Sequence, residues 1–357
     1  PQNARLASTD RSLVDARSAA LWGDATKLQA LLGQNPELLT MRFGNNHDTL
    51  LTTAADAGEC GSVQAVLTHA LLNQSADFAA ILNHRNADQE TALMLAIRAG
   101  AIDVAAALMK HGSIEVNRPN RSGQTPLHLA AAQAAPGFAA GLLNLVSIDP
   151  NPRDGEGNTP LHVAVEQGRS EIAILLVSHP KTAPDEVNHA GQSPLSLAID
   201  AKNLPVFDAL MRRQGVDPDR SNESHQTLLW QQVLDWNNNL SLGGSVPAVQ
   251  PWSYILGRLA ASPGVNSNQR GWEGETPLTY LCKLSCPWHI GAHAEFNAWR
   301  NNAVKAMLEG SRLGAGRLDP GAANAEGKTP YQLALATGNT GLLAVLDADA
   351  YARAQRH

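Results

Sequence analysis

Aromatic residues and cysteine are scarce in this sequence, and each scarcity excludes a class of protein. Phe, Trp and Tyr make up 4% of the 357 residues, which argues against a β-sandwich or a wide globular core and favours thin, close-packed helices rich in Ala and Leu. Cysteine occurs only as Cys60, Cys282 and Cys286, too few for the disulfide framework of a small secreted domain. We therefore expect a reducing compartment, the cytoplasm.

Basic charge and long apolar runs are also lacking. Lys and Arg number 27 against 33 Asp and Glu, so the net charge is −6 at pH 7. Nucleic-acid binders usually carry a basic face, and we expect no nucleic-acid partner. No apolar run reaches the roughly 18 residues of a membrane span, and residues 1–18 contain no apolar signal core. We therefore expect neither a membrane partner nor export by a cleaved signal.

A seven-residue pattern recurs along the chain. It occurs as TALMLAI (91–97), TPLHLAA (125–131), TPLHVAV (159–165) and SPLSLAI (193–199), each starting 34 residues after the one before. Related segments are VDARSAA (14–20), TLLTTAA (49–55), TLLWQQV (227–233), TPLTYLC (276–282) and TPYQLAL (329–335). Self-similarity at this period predicts stacked units that bury a continuous core only together.

The residues of one unit predict a helix with a defined start. Thr125 can cap the N-terminus of a helix, and Pro126 suits its first turn, where no N–H partner is missed. Leu127 and Ala130 then lie on one face at helical spacing, and the small Ala lets the next unit approach closely. The Gly-rich segment before the next unit predicts a turn in which Gly157 adopts a positive φ.

The intact TPLH in two segments resembles the ankyrin repeat family. The resemblance implies an all-α fold, an α-solenoid with β-hairpin-like fingers, in which His128 and His162 are structural. It also implies a single domain over 1–357 with about nine repeats. The expected repeats are 10–44, 45–86, 87–120, 121–154, 155–188, 189–222, 223–271, 272–324 and 325–357.

The function implied by the resemblance is non-catalytic. We expect a monomeric scaffold that binds a specific protein partner and needs no cofactor. Bacterial ankyrin proteins are often secreted effectors, so an effector that engages a host protein, inside the host cell, is one form of this expectation.

Two repeats are longer than the others. The spacing from Thr91 to Leu108 is 17 residues, whereas the matching spacing from Thr227 to Leu259 is 32, and the eighth repeat is extended at the equivalent place. We therefore predict two long insertions, each a loop between the first and second helix of the seventh or eighth repeat. Equivalent sites of adjacent repeats are neighbours, so both insertions should lie on one face.

The predicted loops, at 237–252 and 287–299, are rich in Trp. The Trp residues in or beside them are Trp236, Trp252, Trp288 and Trp299. Their side chains could form a small core that holds the loops down, or a composite binding patch, since Trp is enriched at interface hot spots. An inhibitor or immunity protein that inserts the loops into the cleft of an enzyme is the alternative function.

One segment has the residue types of a zinc site. Cys282, Cys286, His289 and His293 follow the spacing C-x3-C-x2-H-x3-H. On one helix they would spread over about 16 Å, whereas the ligand atoms of tetrahedral zinc lie about 2 Å from one point. Cys282 also occupies a small core position of the repeat, where a free Cys packs as a hydrophobe. We therefore predict no metal, and a metal-dependent module at 282–299 is the alternative.

The family resemblance also suggests where a partner would bind. Ankyrin repeats usually meet partners with their finger tips and the exposed ends of their first helices. The charged residues there are Asp88, Glu90, Glu156, Glu166, Asp200, Glu223, Asp235, Glu273, Glu275 and Glu326, with Arg98, Arg121, Lys283 and Lys328. Ten acids against four bases predict an acidic surface and a partner with a basic patch. Trp272, at a finger, is the best single candidate for a contact anchor.

Overall fold

The computed structural model describes residues 2–72, 78–221, 226–241, 249–284, 293–313 and 318–354. These residues form two compact units, Pro1–Leu197 and Ala198–His357, and each is described by itself. Apart from two isolated bridges, every regular element in the described part of the chain is a helix. The prediction of an all-α repeat fold is confirmed, whereas the number of repeats and their union in one domain stay predictions.

The first unit consists of helices joined by short turns. They are α1 (Gln2–Leu21), α2 (Ala25–Gln34), α3 (Leu50–Asp56), α4 (Cys60–Leu72), α5 (Phe78–Leu82), α6 (Ala92–Arg98), α7 (Ile102–Met109), α8 (Pro126–Ala132), α9 (Pro136–Leu143), α10 (Pro160–Glu166) and α11 (Ser170–Ser178). A further helix, α12 (Pro194–Asp200), spans the boundary of the units. First helices pack side by side, α8 between α6 and α10, and second helices do the same, α9 between α7 and α11.

From α3 onward, each first helix starts directly after the recurring Thr or Ser, whereas α1 begins at Gln2, well before Val14. Thr125 is the N-cap of α8, and it forms a capping box with His128. Leu127 and Ala130 are fully buried, as their spacing predicted. The small residues of this face let neighbouring repeats stack closely, so the apolar stripe of each short helix is covered on both sides.

Tight turns before the first helices form the fingers. Within them, Asn120 N–H donates to Gln124 O at 2.8 Å, Asp154 N–H to Asn158 O at 2.9 Å and Asn188 N–H to Gln192 O at 3.0 Å. Gly157 has φ +77°, which confirms the predicted positive φ, and the equivalent Gly327 has φ +76°. Neighbouring fingers are also bonded, because Gly155 N–H donates to Ser122 O at 2.9 Å. The fingers that the structure describes therefore have hairpin-like bonding without an extended strand.

His128 and His162 connect each first helix to the next finger. The Nδ1 of His128 accepts from Thr125 N–H at 3.1 Å, and its Nε2 lies 2.9 Å from Asn158 O. Since a carbonyl oxygen only accepts, Nε2 carries the proton and donates. His162 is also fully buried and makes the equivalent bonds, and burial lowers the pKa of both imidazoles. The resemblance implied a structural role for both histidines, and the bonds to the helix cap and to the next finger agree with it.

The second unit contains longer helices. They are α13 (Leu204–Arg212), α14 (Leu228–Ser241), α15 (Val249–Ala261), α16 (Pro277–Lys283), α17 (His293–Leu313), α18 (Pro330–Ala336) and α19 (Thr340–Ala354). Much of the predicted loops is therefore helical: 237–241 belongs to α14, 249–252 to α15 and 293–299 to α17. The rest of both predicted loops lies outside the described residues.

The sequence explains why the insertion of the seventh repeat is partly helical. Trp252, Ile255, Leu256 and Leu259 recur at the spacing of one helical face, and all four are buried in α15. The insertion therefore extends the amphipathic face of the second helix, because added apolar residues at helical spacing can be buried against a neighbouring helix.

Helices α15 and α17 pack extensively against each other, and glycine permits their close approach. A Cβ built on Gly310 would lie 2.0 Å from Gly257 O, and one built on Gly257 would lie 3.0 Å from Ala306 O. The two backbones are therefore in direct contact at this crossing, and no other residue type fits at 310 without a shift of the helices.

Candidate protein-binding surface

Three exposed carboxylates lie on the predicted surface of the first unit. Asp88 and Glu156 are at finger tips, and Glu166 is the last residue of α10. Within the described residues none of them forms an ion pair; Glu156 only accepts a hydrogen bond from Asn158 Nδ2 at 3.3 Å. These side chains are exposed to solvent and accessible to a partner.

Glu90 corrects the sequence-based prediction of the surface. It is only 5% exposed, and its Oε1 accepts from Arg98 Nη1 at 2.8 Å. Burial raises the pKa of the Glu90 carboxyl, which the guanidinium opposes. Arg98 also lies 3.7 Å from Asp56. Glu90 is therefore a buried partner of Arg98, and its expected exposure was wrong.

The second unit repeats this arrangement with other residues. Lys283 Nζ lies 3.1 Å from both Glu273 and Glu275, and these carboxylates raise the pKa of the Lys283 amine, Glu275 foremost. The Glu275 side chain is only 1% exposed, and it also accepts from Asn324 Nδ2 at 3.0 Å. Glu275 is thus a second correction. Glu90 and Glu275 each stand directly before the recurring Thr. In both repeats the acid is paired with the base that stands seven residues after this Thr, Arg98 or Lys283.

All four bases of the predicted surface are engaged by the chain itself. Besides Arg98 and Lys283, Lys328 pairs with Glu326 at 2.9 Å, and Arg121 donates to Ala87 O at 2.7 Å. These four bases are therefore bonded within the chain. Asp88, Glu156 and Glu166, in contrast, form no ion pair among the described residues. Asp200, at the end of α12, is also exposed.

The structure places two of the predicted contact Trp residues in the interior. Trp252 is 6% and Trp299 is 1% exposed, and Lys202 Nζ lies 5.4 Å from the centre of the Trp252 ring. Both indoles fill space between helices of the second unit, so neither presents a face to a partner. Of the two interpretations of the Trp residues, the small core agrees with the burial of Trp252 and Trp299.

Other predicted contacts fall outside the described residues. Glu223 and Trp288 lie outside them entirely. Trp236 and Asp235 belong to α14, and Trp272 begins a short 3-10 helix, Trp272–Gly274, but their side chains are not among those the structure describes. The role of Trp272 as an anchor therefore stays a prediction.

The potential zinc segment is described only at Cys282. That residue is fully buried in α16, and burial raises the pKa of its thiol to about 12. A protonated thiol is a poor metal ligand, which fits packing. Cys286 and His289 lie outside the described residues, as does the side chain of His293. Among the residues that are described, no cluster of three or more His, Cys, Asp or Glu is suited to a metal.

An exposed aromatic residue in the first repeat escaped the sequence analysis. Trp22, which follows α1, is 78% exposed, and Leu21 beside it is 43% exposed. Val14 stands where other repeats have the recurring Thr. Leu21 and Trp22 are therefore the residues seven and eight positions after it. These are the helix-end positions used for partner contacts in other repeats. The signal was obscured because VDARSAA keeps only the small-residue tail of the pattern.

Comparisons with known proteins agree with the helical repeats. No curated protein matches the chain. No helix among the described residues is long and apolar enough to cross a membrane. The family model of ankyrin repeats matches in three copies, over 17–117, 67–154 and 137–222, so the matches together span more than half of the chain. Ankyrin repeats are generally protein–protein interaction modules. The chain therefore belongs to the ankyrin repeat family, as these matches show together with the recurring helix caps and the stacked helix pairs.

Proposed function

We propose that this protein is a non-catalytic scaffold, acting as a monomer, that binds a partner protein through a basic segment. The site consists of the finger tips and first-helix ends of the first unit, represented by Asp88, Glu156 and Glu166. We call these three residues the acidic row. It needs no metal or cofactor.

The observation that carries the proposal is the uneven pairing of charge. The bases at the equivalent positions are bonded within the chain, whereas the acidic row makes no ion pair among the described residues. Exposed charges of one sign attract a partner of the other sign and increase its association rate. Each contributes little by itself, about 0–1 kcal/mol, so several must act together.

Binding of a dye-labelled peptide of alternating Lys, Arg and Gly tests the proposal. We expect the triple variant Asp88→Asn, Glu156→Gln, Glu166→Gln to bind it more weakly than the unchanged protein, and both to bind more weakly at high salt. The matched control changes three exposed acids outside the row: Glu37→Gln, Asp103→Asn and Glu171→Gln.

The control separates a site from general attraction. If both triple variants lose equal affinity, net charge alone attracts the peptide and the acidic row is not a site. Affinity that is the same at low and high salt would also contradict the proposal.

The alternative of an inhibitor with inserted aromatic loops has no support in the described residues, because Trp252 and Trp299 are buried. An effector that acts in a host cell is a special case of the present proposal, with a host protein as the partner. A cytoplasmic location, in the producing cell or in the host, belongs to the same proposal.

A further inference from the structure

Trp22 stands out among the exposed apolar residues of the first unit. Its side chain is 78% exposed, although full exposure of an indole leaves a large apolar area in water. It also lies eight residues after the position of the recurring Thr, where other repeats have Ala57, Ala99 and Gln167. The first repeat therefore has a large exposed aromatic side chain where these repeats have a small or an amide side chain.

The backbone at Trp22 is held in place on both sides. Trp22 N–H donates to Ser18 O at 3.0 Å, Gly23 has φ +75°, and Asp24 N–H donates to Ala19 O at 3.0 Å. Helix α1 packs against α2, α3 and α4. The indole thus projects from a fixed turn, so binding to it requires little ordering of the chain.

A carboxylate lies directly beside this turn. A Cβ built on Gly23 would lie 2.3 Å from Glu59 Oε2 and 3.5 Å from Glu59 Oε1, so the carboxylate of the second repeat lies against the residue that follows Trp22. Glu59 is partly exposed and has no ion pair in the described part of the chain. The nearby base Lys27 is taken by Asp15 at 3.2 Å.

An exposed indole, one residue along the chain from a glycine that an unpaired carboxylate touches, suits one class of side chain. A guanidinium stacks on an aromatic face and accepts a carboxylate partner at its edge. We propose that Trp22 and Glu59 form a binding site for an arginine side chain of the partner. This inference rests on the proposed function, since it names a contact of the same basic segment, but the site can be tested without that segment.

The direct test uses a single cationic residue. N-acetyl-arginine amide is titrated into the protein labelled with nitrogen-15, and the indole N–H signal of Trp22, assigned by its loss in Trp22→Phe, is followed by NMR. We expect a saturable shift with the arginine compound, little shift with its neutral isostere N-acetyl-citrulline amide, and a much smaller shift in Glu59→Gln. No shift, or an equal shift with citrulline, would overturn the site.

The second test places the site in the context of the basic segment. With the labelled peptide described above, we expect Trp22→Ala to weaken binding about 2- to 5-fold, the range of exposed cation–π contacts. Val146→Ala, at a residue that is 92% exposed, is the control for removing an exposed apolar side chain and should change nothing. Equal affinity of Trp22→Ala and the unchanged protein would contradict the inference.

The two proposals fail in different ways. If the triple variant of the acidic row weakens peptide binding but Trp22→Ala and the NMR titration show no effect, the arginine site is wrong and the proposed function stands. If arginine amide shifts the Trp22 signal but the acidic row has no effect on the peptide, the site stands and the proposed surface is wrong.

Discussion

The two units are built from the same kind of helix pair, but different side chains join their repeats. In the first unit, His128 and His162 stand three residues after the recurring Thr and reach the next finger. In the second unit, Trp230 stands at this position and its Nε1 donates to Gln269 O at 2.8 Å, whereas among the described residues the hydroxyl of Thr279 bonds to Thr276. The residue at this one position thus decides how a first helix is linked to the next repeat, by His in the first unit and by Trp230 in the second.

The second unit also contains large buried aromatic side chains and a close helix crossing. Trp230 and Trp299 are each 1% exposed there, and α15 contacts α17 at Gly257 and Gly310. The first unit has a ladder of polar bonds over small Ala residues, whereas the second has large apolar side chains and a close helix crossing. The same repeat can therefore be stabilised in two ways, and substitutions can distinguish them.

Trp299→Ala should have the largest effect and should act on the second unit. Removing a fully buried indole loses its burial and leaves a cavity, at a cost of about 3–5 kcal/mol. Amide hydrogen exchange in α17 would report the loss of local stability. Trp22→Ala, which removes the same side chain from an exposed position, should cost almost nothing, and a similar loss in both would contradict this assignment.

Gly310→Ala should destabilise the second unit by about 2–3 kcal/mol, because its Cβ would overlap Gly257 O and force the helices apart. Alanine normally stabilises a helix interior relative to glycine by about 1 kcal/mol. Gly137→Ala in α9 is the matched control, since a Cβ there meets nothing within 4 Å, and it should be neutral or stabilising. Urea denaturation of both variants checks the opposite signs.

His162→Ala should cost about 2 kcal/mol in the first unit, because it leaves buried polar groups of Thr159 and Gln192 without their partner. His162→Gln should cost less, since Gln332 already makes the same cap to Thr329 N–H at 2.9 Å in α18. If urea denaturation shows equal losses for Ala and Gln, the cap contributes nothing and only the link to the next finger stabilises.

The smallest effect expected is a pH dependence confined to the first unit. Burial lowers the pKa of His128 and His162 below the usual 6.5. Between that pH and the lower folded pKa, the unfolded chain binds more protons, so stability is fully present above about 6.5 and decreases as the pH falls. The urea midpoint should therefore be lower at pH 5.5 than at pH 7.5.

The double variant His128→Gln, His162→Gln tests the origin of this dependence. It keeps the other titrating groups, including Glu90, so it should lose less stability over the same pH interval than the unchanged protein. Equal losses in the two proteins would show that other groups cause the dependence.

Some features of the surface could not be predicted from residue positions. Glu90 and Glu275 were expected at the surface because their repeat position usually faces a partner. The structure covers both, since Arg98 and Lys283 fold back over them. Such pairing depends on the direction of two side chains from different turns, which one repeat position does not specify.

The amino-acid sequence by itself determined the repeat and its local geometry. The recurring Thr sets each helix start, His128 and His162 follow from TPLH, and Gly157 and Gly327 mark the turns with positive φ. These features depend on neighbouring residues in the chain, so short patterns predict them. Only the tertiary structure decided that Trp252 and Trp299 are buried, that α15 and α17 meet at glycine, and that Trp22 is exposed. Those outcomes depend on which distant helix covers a side chain, because burial is a property of the packed neighbours and not of the residue.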